Sequence, residues 1–147
     1  MADLTDFAGV SAQDNGLCVV STLRADATIQ ASVVNAGVLE HPVSGARGVA
    51  FVAMGGSRKL ANLRARPCVT LVARSGWQWV AAEGTAELIG PDDPIAGVGP
   101  EELRLTLRAV FVAAGGTHDD WDEYDRAMAA ERRTIAFVTP ARVYSNG

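Results

Sequence analysis

The sequence predicts a mainly β (α+β) domain, a barrel-like antiparallel sheet with helices at its periphery. Three observations carry this reading. β-rich runs follow one another through short connections, which suits antiparallel pairing and not the long crossovers of an alternating βαβ sheet. Helical periodicity is confined to the start, one short central segment and a pair before the last strand. Of 147 residues, 48% are hydrophobic and 20% charged, enough for one packed domain over 1–147 and too apolar for a disordered chain.

Asp3 to Val10 reads as a short opening helix. Leu17-Cys18-Val19-Val20-Ser21-Thr22-Leu23 is β-rich and ends at the polar tetrad Arg24-Ala25-Asp26-Ala27. That tetrad marks a hairpin into a second strand, from Thr28 to about Val38. Glu40 to Gly45 is a loop, and Gly48 to Met54 is a third strand. Gly55-Gly56-Ser57 breaks the strand, and Arg58 to Arg66 is a helix stopped by Pro67. Cys68 to Ala73 and Trp77 to Ile89 are the fourth and fifth strands, joined by a turn at Arg74-Ser75-Gly76. After a surface loop from Gly90 to Pro100, Leu103, Leu107, Val110 and Phe111 mark one face of a helix over Glu101 to Ala114. Asp119 to Glu131 is a second, more polar helix, capped by Asp119. Arg133 to Val138 and Arg142 to Ser145 are the last strands, interrupted by Pro140.

Charge and composition exclude several functions. Thirteen Lys and Arg against 17 Asp and Glu give a net charge of −4, so the basic excess of a nonspecific nucleic-acid binder is missing. No apolar run approaches the ~20 residues of a membrane span, and the opening MADLTDFAGV has no signal-peptide pattern. The expectation is a cytoplasmic protein with neither nucleic-acid nor membrane partners. Cys18 and Cys68 stand alone in apolar runs and read as small buried hydrophobes. No metal-ligand spacing is present. The acids after His118 suit a helix start, and His41 reads as a solvated loop residue. No nucleophile with its base is legible, which is what cofactor chemistry predicts, because the cofactor brings the reactivity.

The informative stretch runs from Met54 to Arg64. Gly55 and Gly56 permit a sharp turn and close approach of a ligand to the backbone. Ser57 is a good N-cap, which puts Arg58 and Lys59 in the first helical turn, where the helix already carries partial positive charge. A bound phosphate removes that conflict, because backbone N–H groups, dipole and both cations would converge on it. The same residues also read as a solvated helix start, where salt screens the misplaced charge. The GxxxxGK[ST] pattern of a Walker A loop is absent.

The run from Gly55-Gly56-Ser57 through Lys59 and Asn62, then Arg64-Ala65-Arg66-Pro67, then Gly76-Trp77-Gln78-Trp79 to Ala86, resembles the split β-barrel flavin and deazaflavin oxidoreductases. His118 to Tyr124, Glu131-Arg132-Arg133 and Ala141-Arg142-Val143-Tyr144 extend the likeness over nearly the whole chain. In pattern it is similar to the actinobacterial coenzyme F420-dependent reductases, within the wider group that includes pyridoxamine 5′-phosphate oxidase. The resemblance implies a split β-barrel, FMN-binding-like fold with peripheral helices. It further implies a homodimer with its sites at the interface, and coenzyme F420 as cofactor, with FMN as the alternative.

By that resemblance Lys59 would bind the cofactor phosphate, with Arg58, Ser57 and Asn62 beside it. Gln30, Ser32 and Val34 on the second strand would touch the ring, and the end of the third strand, Ala53 to Gly55, would pass near its edge, with Met54, Gly55 and Gly56 among the cofactor-binding residues. Trp77 and Trp79 from the partner subunit would wall the ring or substrate. Read on their own, Gln30 and Ser32 are also ordinary strand residues, and the two tryptophans are also core or dimer packing. The implied reaction is hydride transfer from the reduced cofactor to a small electron-poor substrate: an enone, a quinone or a tetrapyrrole-like molecule. The alternatives are an FMN-dependent oxidase or reductase, and a non-catalytic cofactor or haem carrier.

Overall fold

The computed structural model describes residues 1–147. The elements run α1 (Leu4–Ala12), β1 (Leu17–Leu23), β2 (Ile29–Glu40), β3 (Arg47–Ala53), α2 (Arg58–Ala65), β4 (Cys68–Ser75), β5 (Gln78–Ile89), α3 (Pro100–Ala113), α4 (Trp121–Ala130) and β6 (Thr134–Ser145). The six strands close into an antiparallel barrel in the order β1-β2-β3-β6-β5-β4. Neighbours in sequence pair wherever a tight turn joins them. Closure comes from three pairings between strands that no tight turn joins: β1 with β4 (Val20 opposite Leu71), β3 with β6 (Phe51 opposite Ala136) and β5 with β6 (Leu88 opposite Ala136).

Alternation sends Cys18, Val20, Val49, Phe51, Leu71, Ala73, Ala136 and Val138 into the barrel. A short helix stoppers each end. Phe7 and Val10 of α1 enter the core beside the β5 and β6 termini around Val80 and Val143, and Leu60 and Leu63 of α2 enter it at the opposite end. A second apolar layer forms outside, where Leu107 and Val110 of α3 and Tyr124 of α4 cover Ala50, Ile135 and Phe137. At Gly37 any Cβ would lie 2.3 Å from the Ala113 backbone, so glycine there is what lets α3 settle on β2. No helix covers the outer face of β1 and of the first half of β2, where Leu17, Val19, Ile29 and Val33 meet solvent.

Several local expectations are corrected. The two final strands are one strand, β6, which continues through Pro140. Beyond Val138 it has only β5 as a neighbour, so the missing proline N–H costs no ladder bond on the β3 side. A register shift at Glu83/Gly84 absorbs the irregularity, and a Cβ on Gly84 would strike the Thr139 carbonyl. Trp77 lies outside the fifth strand, in the two-residue turn Gly76-Trp77, with Gly76 at φ +61° as a glycine-first hairpin turn requires. Cys68 is exposed at the start of β4, while Cys18 is buried as expected. His41 is not solvated: its ring packs edge-on against Phe137, Nε2 meets Glu87 at 2.5 Å, and Nδ1 accepts from the Val43 and Ser44 amides. Asp120, not Asp119, caps α4, accepting from the Glu123 amide at 3.1 Å. No helix is long and apolar enough to cross a membrane.

Candidate functional site

The site is built where β3 hands over to α2. The Ser57 amide donates to the Met54 carbonyl at 3.1 Å, closing a β-turn over Met54-Gly55-Gly56-Ser57. Its third residue, Gly56, has φ +80°, the left-handed value that a type II turn demands and glycine supplies without strain. Gly55 serves another purpose. Its amide donates to the Glu131 carbonyl at 3.0 Å, and a Cβ there would come within 2.7 Å of both Cβ and the carbonyl oxygen of Arg132. The two glycines therefore do separate jobs: one turns the chain, the other seats the turn against the α4–β6 connection.

Ser57 is the N-cap of α2, with extended backbone at φ −69° and ψ 154°. Its hydroxyl makes no capping bond. Ser57 Oγ is the one buried side-chain polar atom without a hydrogen-bond partner. Arg58 and Lys59 follow in the first turn with no acid among them, so the dipole, the free N–H groups and two cations add to a single positive end. Carboxylates nearby are already taken. Arg64 holds Asp93 through Nε at 2.8 Å and Nη2 at 2.7 Å, and Arg132 holds Asp92. The Arg132 guanidinium keeps the Asp92 carboxyl below its usual range, and the hydrogen bond from Arg64 to Asp93 raises the guanidinium further. Arg58 and Lys59 pair with neither. An orphaned buried hydroxyl beside unpaired cations at a helix start suits a phosphate well.

Asn62 lies one helical turn beyond Arg58 and Lys59 on α2. It is buried, and its amide nitrogen donates to Thr22 Oγ1 and to Gln30 Oε1, each at 3.1 Å. Thr22 and Gln30 are directly opposite each other on β1 and β2. Of the expected ring contacts, Gln30 and Ser32 are half-buried on the inward face of β2, and Val34 on that face lies within the barrel core. The open face of β2 belongs to Ile29, Ala31, Val33 and Asn35.

A cavity of about 420 Å³ adjoins the site, lined by Asn35, Val52, Phe111, Tyr124, Met128 and Arg133 among others. Val52 and Arg133 tie it to the Met54–Ser57 turn, because Ala53 pairs with Thr134 at the adjoining strand ends. Arg133 is engaged with Glu131 at 2.9 Å. Burial pushes the Tyr124 phenol up to about 12, so it stands there as a neutral donor, bonded to the Leu107 carbonyl at 3.0 Å.

The tryptophans are not part of this cluster within one chain. Trp77 is exposed at the β4–β5 turn, and Trp79 packs edge-on against Tyr144, 6.0 Å between centroids. That turn lies at the α1 end of the barrel, whereas Thr22, opposite Val69, marks the α2 end. With Val72, Arg74 and Ala81 they line a broad surface hollow. The sequence signal missed the Gln30–Asn62–Thr22 link and the seating of Gly55 under Arg132, since both join positions far apart in the chain.

Three solved structures share the fold at low identity. The conserved hypothetical protein Rv2991 from Mycobacterium tuberculosis is 20% identical, with TM-score 0.66, over 99% of this chain and 84% of that one. An F420 reductase is 14% identical, with TM-score 0.58, over 88% and 90%. A pyridoxamine 5′-phosphate oxidase-related, FMN binding protein from Nostoc punctiforme PCC 73102 is 12% identical, with TM-score 0.65, over 99% and 84%. The family model for pyridoxamine 5′-phosphate oxidase matches residues 10–145, from the last turns of α1 to the end of β6. A closed six-stranded split barrel is therefore what this chain shares with these structures, and the chain belongs to the pyridoxamine 5′-phosphate oxidase family.

Proposed function

We propose that this protein is a deazaflavin-dependent reductase, holding coenzyme F420 by its phosphate at the start of α2. The observation that carries the reading is the buried, partnerless Ser57 hydroxyl at an N-cap followed by Arg58 and Lys59. Bound there, a reduced deazaflavin supplies a hydride to a small electron-poor acceptor such as an enone, a quinone or a tetrapyrrole-like molecule. The chain's own work is to bind and orient. The free backbone N–H groups of the first turn of α2 point at the anion, Ser57 Oγ gains the partner it lacks, and Lys59 and Arg58 neutralise the charge. The neighbouring cavity offers apolar walls from Val52, Phe111 and Met128 and room for a flat ring system.

FMN is the second reading, favoured by the likeness to an FMN binding protein. Its phosphate asks the same of Ser57 to Lys59, so the choice rests on the ring. The uncovered outer face of β1 and β2 supports a homodimer, in which Trp77 and Trp79 of one protomer come near the site of its partner.

Titration of the purified protein with coenzyme F420 and with FMN, followed by fluorescence and absorbance, tests the reading. Micromolar or tighter binding of F420, weakened by about 1–3 kcal/mol in Lys59→Ala, is the expected result. Tight FMN binding with none for F420 selects the second reading. Equal affinity of Lys59→Ala and wild type for either cofactor removes the phosphate site.

A further inference from the structure

We infer that Asn62 is a positioning residue that turns the Gln30 carboxamide into a hydrogen-bond donor toward the ligand, so that the site selects an acceptor atom at that point. The inference rests on the reading of the α2 start as the cofactor's phosphate site. Asn62 has two amide hydrogens and spends both inside the protein, one on Thr22 Oγ1 and one on Gln30 Oε1. That bond fixes the Gln30 oxygen toward α2, so the –NH₂ arm is turned the other way, and it has no partner within the chain. Gln30 is half-buried, so a ligand can reach it, while Asn62 and Thr22 are 3% and 2% exposed and cannot be reached.

Placement supports a ligand role. Asn62 stands three residues after Lys59, so the two are neighbours along one flank of α2. A molecule whose phosphate is held at Ser57 and Lys59 therefore passes the Gln30 amide with its next portion. A free glutamine would rotate to present oxygen or nitrogen as the ligand required. Held by Asn62, it presents nitrogen alone. A carbonyl or other acceptor gains a hydrogen bond there, and an N–H or O–H group meets a donor and is rejected. Since Thr22 is the cross-strand partner of Gln30, the bracket is anchored to the barrel wall and moves with it.

A double-mutant cycle on cofactor affinity tests this, with coenzyme F420 and FMN as titrants. Asn62→Leu and Gln30→Met are each expected to weaken binding several-fold. In the Gln30→Met background Asn62→Leu should then have no further effect, because it acts only through Gln30. Additive losses, or an Asn62→Leu variant that binds as wild type does, overturn the inference. Should Asn62→Leu fail to fold, Gln30→Glu decides. It keeps an oxygen for Asn62 but places a second oxygen where the donor stood. Relative to wild type at each pH, it is expected to bind at least ten-fold more weakly than Gln30→Met at pH 8 and to recover toward pH 5 as the carboxyl gains a proton. Equal binding by Gln30→Glu and Gln30→Met across that range overturns the inference as well. Lys59→Ala separates the two failures: if it weakens binding while the cycle is additive, the phosphate site stands and the bracket falls, and if it has no effect the phosphate reading itself is lost.

Discussion

Gly55 lies directly against Arg132, with the space for a Cβ already filled by the Cβ and carbonyl of that residue. Arg132 itself is held in the left-handed region at φ 49°, and its side chain is tied to Asp92 in the loop after β5. The ligand-facing turn, the α4–β6 connection and the Pro91–Asp93 loop are thus one mechanical unit. Gly55→Ala must push the turn off this seat. A loss of about 1–3 kcal/mol in stability is expected, read from the urea midpoint, together with weaker cofactor binding. Gly56→Ala meets open space and suffers only the backbone strain of its positive φ, about 1–2 kcal/mol, so it should be the milder change in packing terms.

Ser57→Ala should move stability and affinity in opposite directions. The hydroxyl is buried without a partner in the ligand-free chain, and leaving a polar atom unsatisfied costs free energy. Its removal is expected to raise the unfolding free energy by about 1 kcal/mol without ligand. The same change removes a donor to the phosphate and should weaken cofactor binding by a similar amount. Denaturation and titration on one preparation check both. A variant that loses stability as well would mean that the hydroxyl is satisfied by water in solution.

Much of this architecture is legible in the chain because its signals are local. Alternation in Leu17–Leu23, the glycine pair before Ser57 and Pro67 after α2 each fix a boundary through nearby residues. The run of cations behind an N-cap serine exposes the candidate site for the same reason. Relationships across the barrel are not legible. His41 finds Glu87 46 positions away, and Asn62 finds Thr22 40 away, and no periodicity encodes either pairing. Pro140 reads as a break because sequence shows the lost N–H but not that this stretch of β6 has one neighbour only. The choice of inward face on β2 is equally hidden: Ile29 and Val33 are apolar yet exposed, while Gln30 turns inward to meet Asn62.

Those exposed side chains bear on assembly. Leu17, Val19, Ile29 and Val33 form one face of β1 and β2, since Val19 is opposite Val33 and Leu23 opposite Ile29. Contiguous apolar strand surface of this kind marks a protein contact, and a second copy of the chain is the partner proposed here. Sedimentation equilibrium is expected to give a dimer for the wild type. Val33→Glu should shift it to monomer with unchanged circular dichroism, because a buried carboxylate in the interface is left unpaired. A wild-type monomer at micromolar concentration would refute the dimer.

Acid sensitivity should concentrate at Asp125. Its carboxylate accepts from Arg108 through Nε at 2.9 Å and Nη2 at 2.5 Å, and from Arg104 Nη1 at 2.9 Å, joining α4 to α3. The hydrogen bond from Arg108, seconded by Arg104, holds the carboxyl below the ordinary aspartate range. A carboxyl whose folded pKa is depressed stabilises the fold fully above its unfolded value of about 3.9, and that contribution is lost as pH falls through the lower folded value. Asp125→Asn should therefore have a lower urea midpoint than wild type at pH 7, and the two midpoints should converge as the pH is taken below about 4. The partners are partly exposed, so added salt should also narrow the gap at neutral pH. A constant difference from pH 7 down to pH 2 would show that Asp125 supports the α3–α4 contact through packing and not through its charge.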